Sequence, residues 1–195
     1  MNDLYLAVAG LALGFSLTVP PGPMNALIAN RSMRSMRAGV TTGLGAMSAD
    51  AVLGALIYAL HAEVNLGAYV RAVEAVGAVV LAVMVVRLLR EPSTPDAPSA
   101  SDVRVYSDAL LVGVTNPFQI LWWVTVGLAF AYVGGAVLFL GLFGAIAVWV
   151  VVFPYALTEG VRRDPRISRG VALASAALLA GFAGYFALSA AGLAL

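Results

Sequence analysis

A single carboxylic acid inside a long apolar segment is the first candidate for chemistry. Asp50 lies about twelve residues into the apolar run 38–60, or ~17 Å from its start if the run is helical. A carboxyl group at the centre of a bilayer costs ~2.5 to 3.5 kcal/mol on the mild insertion scale. We therefore expect Asp50 to face the interior of a helix bundle, protonated or against a cation, as suits a proton carrier. A neutral acid that bonds a neighbouring carbonyl is the structural alternative.

A proline-rich segment in the first apolar run is the second candidate. Val19-Pro20-Pro21-Gly22-Pro23-Met24-Asn25 does not fit an unbroken helix, because its prolines lack the N–H donor and clash with the preceding turn. Pro23 is suited to the first turn of a new half-helix, whose positive end then points toward the membrane interior. Such backbone survives in hydrocarbon when it is buried in protein or lines a wet cavity, so the segment predicts a binding site rather than a packed kink. Its candidate residues are Pro21, Gly22, Pro23 and Asn25.

A second interruption, Thr115-Asn116-Pro117, lies in the later part of the chain. Asn116 is able to cap a helix that begins at Pro117, which again leaves backbone N–H groups inside the membrane; a capped kink is the alternative. At 1.5 Å per residue both interruptions lie ~12 Å deep from the same side, so we expect one shared site. Trp122 and the neighbouring Trp123 are expected to wall it, and Trp149 is expected to pack. The candidate residues here are Thr115, Asn116, Pro117 and Trp122.

The elements that carry these residues are too apolar for a water-soluble domain. Of the 195 residues, 62 % are hydrophobic and 11 % are charged, and the mean hydropathy is +0.95. Apolar runs long enough to span a bilayer cover 4–29, 38–60, 66–88, 106–131, 134–158 and 170–194. The chain is therefore predicted to be an all-α integral membrane protein of one domain (1–195) with six transmembrane helices, of which helices 1 and 4 are broken at proline.

The two halves of the chain are weakly similar. A shift of 96 residues places Pro21 on Pro117 and the second apolar run on the fifth. This predicts two repeats of three spans, at about 1–90 and 108–195, joined by a polar cytoplasmic linker at about 91–107. An odd number of spans per repeat gives the repeats opposite orientations, and inverted repeats are a common plan of secondary transporters.

Arginines orient the predicted spans. Ten of the eleven basic residues lie in three of the loops, and these are Arg31, Arg34, Arg37, Arg87, Arg90, Arg104, Arg162, Arg163, Arg166 and Arg169. Since cytoplasmic loops hold an excess of basic residues, both termini are predicted to lie outside a cell (plasma or inner) membrane. Arg71, on the opposite side, is expected to form a structural or gating pair with Glu74. Asp108, Glu159 and His61 stand at span ends, where we assign no role.

Composition narrows the function classes. The absence of cysteine excludes thiol redox relays, and a net charge of +1 offers no basic patch for nucleic acid. With one histidine and no Walker loop, Ser/His/Asp set or HExxH helix, we expect neither an enzyme nor a metal site, and no cofactor. The expected partners are a small solute, protons and the lipid bilayer, and a homo-oligomer is left open.

Together the motifs resemble the LysE/RhtB family of amino-acid exporters, the LysE-type translocators. The matching stretches are Pro21-Gly22-Pro23-Met24, the run Arg37-Ala38-Gly39 with Gly43, Gly45 and Asp50, and Asn116-Pro117 followed by Ile120-Leu121-Trp122. Family members often have a glycine before the acid and a small residue and lysine after Asn-Pro, where this chain has Ala49, Phe118 and Gln119. The resemblance implies export of amino acids or related small solutes, driven by the proton gradient.

The hypothesis that follows is a proton-coupled exporter. The helix ends near Pro23 and Pro117 would bind the carboxylate of the solute, and ionised Asp50 would hold its ammonium group. Competition between proton and solute for Asp50 would couple their movements. The alternatives are a divalent metal-cation exporter and a non-transporting membrane protein, either a lipid enzyme or an assembly scaffold.

Overall fold

The computed structural model describes residues 2–60, 70–90, 101–127, 135–164 and 166–193, and these residues are helical, with no strand among them. The helices are α1 (Asp3–Thr18), α2 (Pro23–Arg34), α3 (Met36–Leu60), α4 (Val70–Arg90), α5 (Asp102–Thr115), α6 (Pro117–Trp122), α7 (Gly135–Arg163) and α8 (Arg166–Ala190), with a π-helical turn at Trp123–Gly127 after α6.

Several of these helices have the length and composition of membrane spans. Within the described residues, Met36–Ala59 of α3, all of α7 and Arg169–Ala190 of α8 are long and apolar enough to cross a bilayer. The helices α1 and α2 meet the same test together, as one span bent by 76°. The prediction of an all-α protein is therefore confirmed for the described residues, which contain three candidate membrane spans, or four if the bent pair is one. The predicted number of six stays a prediction.

Both helix breaks lie at the predicted prolines. The helix α1 ends at Thr18 and α2 begins at Pro23, while α5 ends at Thr115 and α6 begins at Pro117. Proline at the first helical position removes an N–H that would have no helical partner there, so each break also defines a new helix start. After α6, the predicted fourth span continues as the π-helical turn, and residues 128–134 lie outside the described part.

Helix α2 lies inside the bundle. Every residue from Ala26 to Met33 is buried, and α2 packs against α3, α5, α7 and α8. An apolar core joins α2 to α4, α5 and α8 and includes Leu27, Leu81, Val112, Leu179 and Phe186. A second core joins α3, the π-helical turn and α7 and includes Leu53, Ile57, Trp123, Leu142 and Ile146. The start of α2, and with it the first break, is thereby held in the interior.

Small residues bring two pairs of helices into close contact. Helix α1 packs along α7, where a Cβ added to Gly10 would overlap the carbonyl oxygen of Leu138. Helix α3 packs along α5, where a Cβ added to Gly45 would be 2.8 Å from the Cβ of Ala109. Helix α4 packs along α8. Because backbones approach this closely only without side chains between them, the glycines determine the spacing of these helices.

Helix α5 begins earlier than the sequence indicates. The predicted linker extends to residue 107, but the Ser101 side chain accepts a hydrogen bond from the Arg104 N–H (3.4 Å) and the helix starts at Asp102. A serine N-cap followed by an acidic residue in the first turn favours a helix start at this point. Asp108 therefore lies on a helix inside the bundle rather than at the solvated end of a span.

An ion pair joins the two broken spans. Arg31 on α2 is 5 % exposed, and its guanidinium lies 3.7 Å from the carboxylate of Asp108 on α5. No role was assigned to Asp108 from the sequence, so this pair was missed. Nearby, Arg37 at the start of α3 pairs with Asp102 at the start of α5, but both of these side chains are exposed.

The glycine contact yields a stability prediction. Gly10→Ala should destabilise the protein by about 1 to 3 kcal/mol, because the added methyl group overlaps the α7 backbone. Gly144→Ala is the matched control on α7, where no atom lies within 4 Å of an added Cβ. The measurement is the temperature at which the detergent-solubilised protein loses its monodisperse elution. Equal transition temperatures for the two variants would contradict the packing described.

The two ion pairs yield a second prediction. Asp108→Ala should cost on the order of 3 to 5 kcal/mol, because it removes the carboxylate that faces a buried guanidinium. Asp102→Ala, which breaks the exposed pair, should cost about 0 to 1 kcal/mol. The same thermal assay compares them, and a larger loss for Asp102→Ala would show that the buried pair does not hold α2 against α5.

Candidate functional site

A cavity of about 90 Å³ lies where the two helix breaks face α3 and α7. It brings together most of the residues that the sequence singled out, and these are Pro21, Gly22, Pro23, Asn25, Asp50, Asn116 and Trp122. Thr115 and Pro117 do not line it: the Thr115 hydroxyl donates to the Leu111 carbonyl (2.7 Å), and Pro117 is buried as the first residue of α6. The volume suits several waters or one small solute.

Asp50 lies near the middle of α3 and faces this cavity with 3 % of its surface exposed. Its Oδ1 accepts hydrogen bonds from the Gln119 amide (2.9 Å) and from the Trp123 indole N–H (3.0 Å), whereas Oδ2 takes part in neither bond. Among the residues described around the cavity, Asp50 has the one ionisable side chain. The two donors fix the orientation of the carboxyl group and leave its second oxygen to other partners.

A short chain of amides supports Asp50 from the second break. The Asn116 amide N–H donates to Oε1 of Gln119 (3.3 Å), and Gln119 in turn donates to Asp50. The Oδ1 of Asn116 accepts from the Phe118 backbone N–H (3.1 Å), which is the predicted cap on α6. Because Asn116 already accepts a hydrogen bond from the Phe118 N–H, the start of α6 is less available to the carboxylate of a solute than the sequence hypothesis expected.

The first break is supported by Asn25. Its amide nitrogen donates to the carbonyls of Thr18 and Pro20, which the break frees from helical bonding. Its Oδ1 accepts a hydrogen bond from the Trp149 indole N–H on α7 (3.1 Å), and Trp149 lines the cavity. Trp149 packs as expected, since its ring stacks on Phe153, and it also has this hydrogen bond and a place in the cavity lining. Carbonyl groups that a helix break frees need partners, and one asparagine supplies them while it also joins α2 to α7.

The start of α2 differs from the start of α6 in its capping. Gly22 precedes α2 in an extended conformation (φ −161°, ψ 178°) and provides no side-chain hydrogen bond to the first turn. Met24 and Asn25 of that turn line the cavity. Unpaired N–H groups at a helix start carry partial positive charge and attract anions. The α2 end is therefore the better of the two candidates for an anionic group.

Two residues of the site were missed or only partly foreseen from the sequence. Gln119 was noted as a departure from the family pattern, and Trp123 as a wall residue beside Trp122. The structure shows both as donors to Asp50, while Trp122 lines the cavity. A polar residue one turn after a membrane helix break is the signal that would have pointed to Gln119. The predicted pair of Arg71 and Glu74 lies outside the described side chains, since Glu74 is not described, and so does His61.

Comparison with known proteins identifies the family of the chain. The model of the LysE type translocator family matches residues 15–190, which include both helix breaks and Asp50. No curated protein matches the chain, and no solved structure does. Together with helices that are able to span a bilayer, the family match indicates a membrane-embedded exporter of small solutes. The chain belongs to the LysE type translocator family.

Proposed function

We propose that the protein is a secondary transporter that exports amino acids or related small solutes from the cytoplasm in exchange for protons. The observation that supports this function is Asp50, a buried acid that lines the cavity between two broken helices. Ionisable groups inside membrane spans are rare and mark the paths of ions and substrates.

The solute binds through its two charged ends. Its carboxylate lies at the start of α2, beyond Gly22, where first-turn N–H groups lack a side-chain cap. Its ammonium group binds Asp50 through Oδ2, since Oδ1 already accepts bonds from Gln119 and Trp123. An α-amino acid presents these groups on one carbon atom, so both ends are satisfied in one small cavity.

Coupling arises because proton and ammonium group compete for the same carboxyl group. When Asp50 binds a proton, its negative charge is lost, the ammonium group of the solute has no ionic partner, and the solute dissociates on the outside. When the proton leaves to the cytoplasm, the charged carboxylate recruits the next solute. A buried carboxylate that binds neither proton nor ammonium group is unfavourable in a medium of low polarity. This disfavours the return of the transporter with neither proton nor solute bound.

Six spans in two inverted repeats provide the alternating access that this cycle needs. The packing supports such a repeat, because α1 with α7 and α5 with α3 are equivalent pairs when the halves are exchanged. A Cβ added to Gly14 would meet the Cβ of Ala145 at 2.7 Å, and one added to Gly113 would overlap the Cβ of Ala49. A shift of 96 residues places Ala49 on Ala145, so small residues recur at equivalent crossings.

The amides at the breaks are a second likeness between the halves, at a shift of 94 residues rather than 96. Asn25 and Gln119 are each the third residue of a half-helix that begins with proline. Asn25 bonds Trp149 on α7, and Gln119 bonds Asp50 on α3, so each amide contacts the middle helix of the other repeat. These two hydrogen bonds join the repeats on both sides of the cavity and stabilise its closed form.

The orientation follows from the arginines at one end of the bundle. Arg37 pairs with Asp102, which brings the starts of α3 and α5 together. The Thr158 hydroxyl donates to the Ser32 carbonyl (3.0 Å), which brings the ends of α2 and α7 together. Since α3 follows α2 directly, all four lie at the same end of the bundle. We assign this end to the cytoplasm and both termini to the outside of a cell membrane.

Replacing Asp50 tests the coupling. Asp50→Asn keeps the size of the side chain and an oxygen for Gln119 and Trp123, but it neither exchanges protons nor binds an ammonium group by charge. In proteoliposomes with amino acids inside, transport driven by a proton gradient should fall at least tenfold, with elution from a sizing column unchanged. Asp102→Asn, at an exposed helix start, is the control and should transport normally. Proton-driven transport by Asp50→Asn at the normal rate would refute the mechanism.

A further inference from the structure

The residues around Asp50 also indicate which amino acids fit the cavity, an inference that rests on the proposed function. We propose that the solute is an amino acid with an uncharged, aliphatic side chain of moderate size. The argument uses three properties of the cavity: its charge, its remaining hydrogen-bonding capacity and its apolar wall.

The described lining of the cavity contains one ionisable side chain, which is acidic. Asp50 is the one ionisable side chain among the described lining residues, and the ammonium group of the solute uses it. A lysine or arginine solute would bring a second positive charge, and a glutamate or aspartate solute a second negative one. Neither charge would find an opposite side chain in the described lining, and an unpaired charge in this setting is strongly disfavoured.

The polar side chains of the lining already form hydrogen bonds within the protein. Asn25 bonds two carbonyls and Trp149, Asn116 bonds Gln119 and the Phe118 N–H, and Gln119 bonds Asp50. The hydroxyls of Ser16 and Thr18 donate to carbonyls of their own helix (2.7 and 2.9 Å). A hydroxyl or amide group on the solute would meet side chains that are already hydrogen-bonded within the protein, so a polar side chain gains little here.

The other side chains of the lining include an apolar group. Leu17, Ile28, Ile146 and Val150 line the cavity from α1, α2 and α7. In the proposed repeat, a shift of 96 residues places Asp50 on Ile146, so the second half presents an aliphatic side chain where the first half presents the acid. The solute therefore meets an ionic side and an apolar side. An amino acid matches this arrangement when its α-carbon groups face Asp50 and its side chain faces Ile146.

The size of the cavity limits the side chain. Gly43 lines the cavity, and a Cβ added to it would lie 2.7 Å from Cγ1 of Val150. The helices α3 and α7 are therefore closely packed here, and this side of the cavity cannot widen easily. Between walls that are packed this closely, valine, leucine or methionine is favoured over the bulkier tryptophan. Hydrophobic pockets reject a missing methylene group by about 10- to 200-fold, so glycine should be a poor solute.

A transport panel tests the inference. Purified protein in proteoliposomes is loaded with leucine, valine, methionine, glycine, threonine, lysine or glutamate, and efflux is measured under an inward proton gradient. The aliphatic amino acids should leave at least tenfold faster than lysine and glutamate. Comparable rates for lysine or glutamate would overturn the side-chain inference and leave the proposed export function standing. No efflux of any amino acid would overturn the proposed function and this inference together.

A variant at the apolar wall provides the second test. Ile146→Asp adds a carboxylate opposite Asp50 and should raise lysine efflux at least tenfold relative to leucine efflux. Gly144→Ala, on the same helix but outside the cavity lining and with no atom within 4 Å of an added Cβ, is the control and should keep the preference for aliphatic solutes. Elution from a sizing column identifies whether the variants are folded. A folded Ile146→Asp protein that still excludes lysine would overturn the placement of the solute side chain beside Ile146; if it does not fold, the panel on the unmodified protein decides.

Discussion

The carboxyl group of Asp50 depends on two N–H donors that both follow the second helix break. A buried carboxyl group is stable in an apolar bundle when its oxygens are hydrogen-bonded, and Gln119 and Trp123 supply those bonds to Oδ1. Both donors lie within two turns of Pro117, so the position of that proline determines where they meet α3. The break, the short helix α6 and the middle of α3 therefore form one structural unit, and a change in any of them alters the site.

The two breaks solve the same problem in different ways. At the first, Asn25 bonds the freed carbonyls and leaves the start of α2 uncapped beside the cavity. At the second, Asn116 caps α6 and donates a hydrogen bond to Gln119, which in turn donates to Asp50. In the proposed mechanism, one break therefore receives the anionic group of the solute and the other holds the acid, so that similar proline motifs give the cavity two distinct electrostatic ends.

The sequence predicted the residues that conflict with an apolar helix but not the partners that resolve the conflict. Asp50, Pro23 and Pro117 stand out because a charge or a missing donor is costly within a membrane span, whatever the fold. Their partners depend on packing: Gln119 is 69 residues from Asp50, and Trp149 is 124 residues from Asn25. No local pattern links such pairs. The pairing of Asp108 was missed for a related reason, since the predicted linker ended after the true start of α5.

The π-helical turn at Trp123–Gly127 makes the second half-helix differ from the first. A π turn holds about one residue more than an α turn, so the residues within it are rotated relative to a continuous α-helix. Helix α2 continues without such a turn to Arg34, so the two half-helices are not interchangeable. In the proposed exporter, perfectly symmetric repeats would give the solute identical affinity from both faces of the membrane. There, this local difference in winding would make the two affinities unequal.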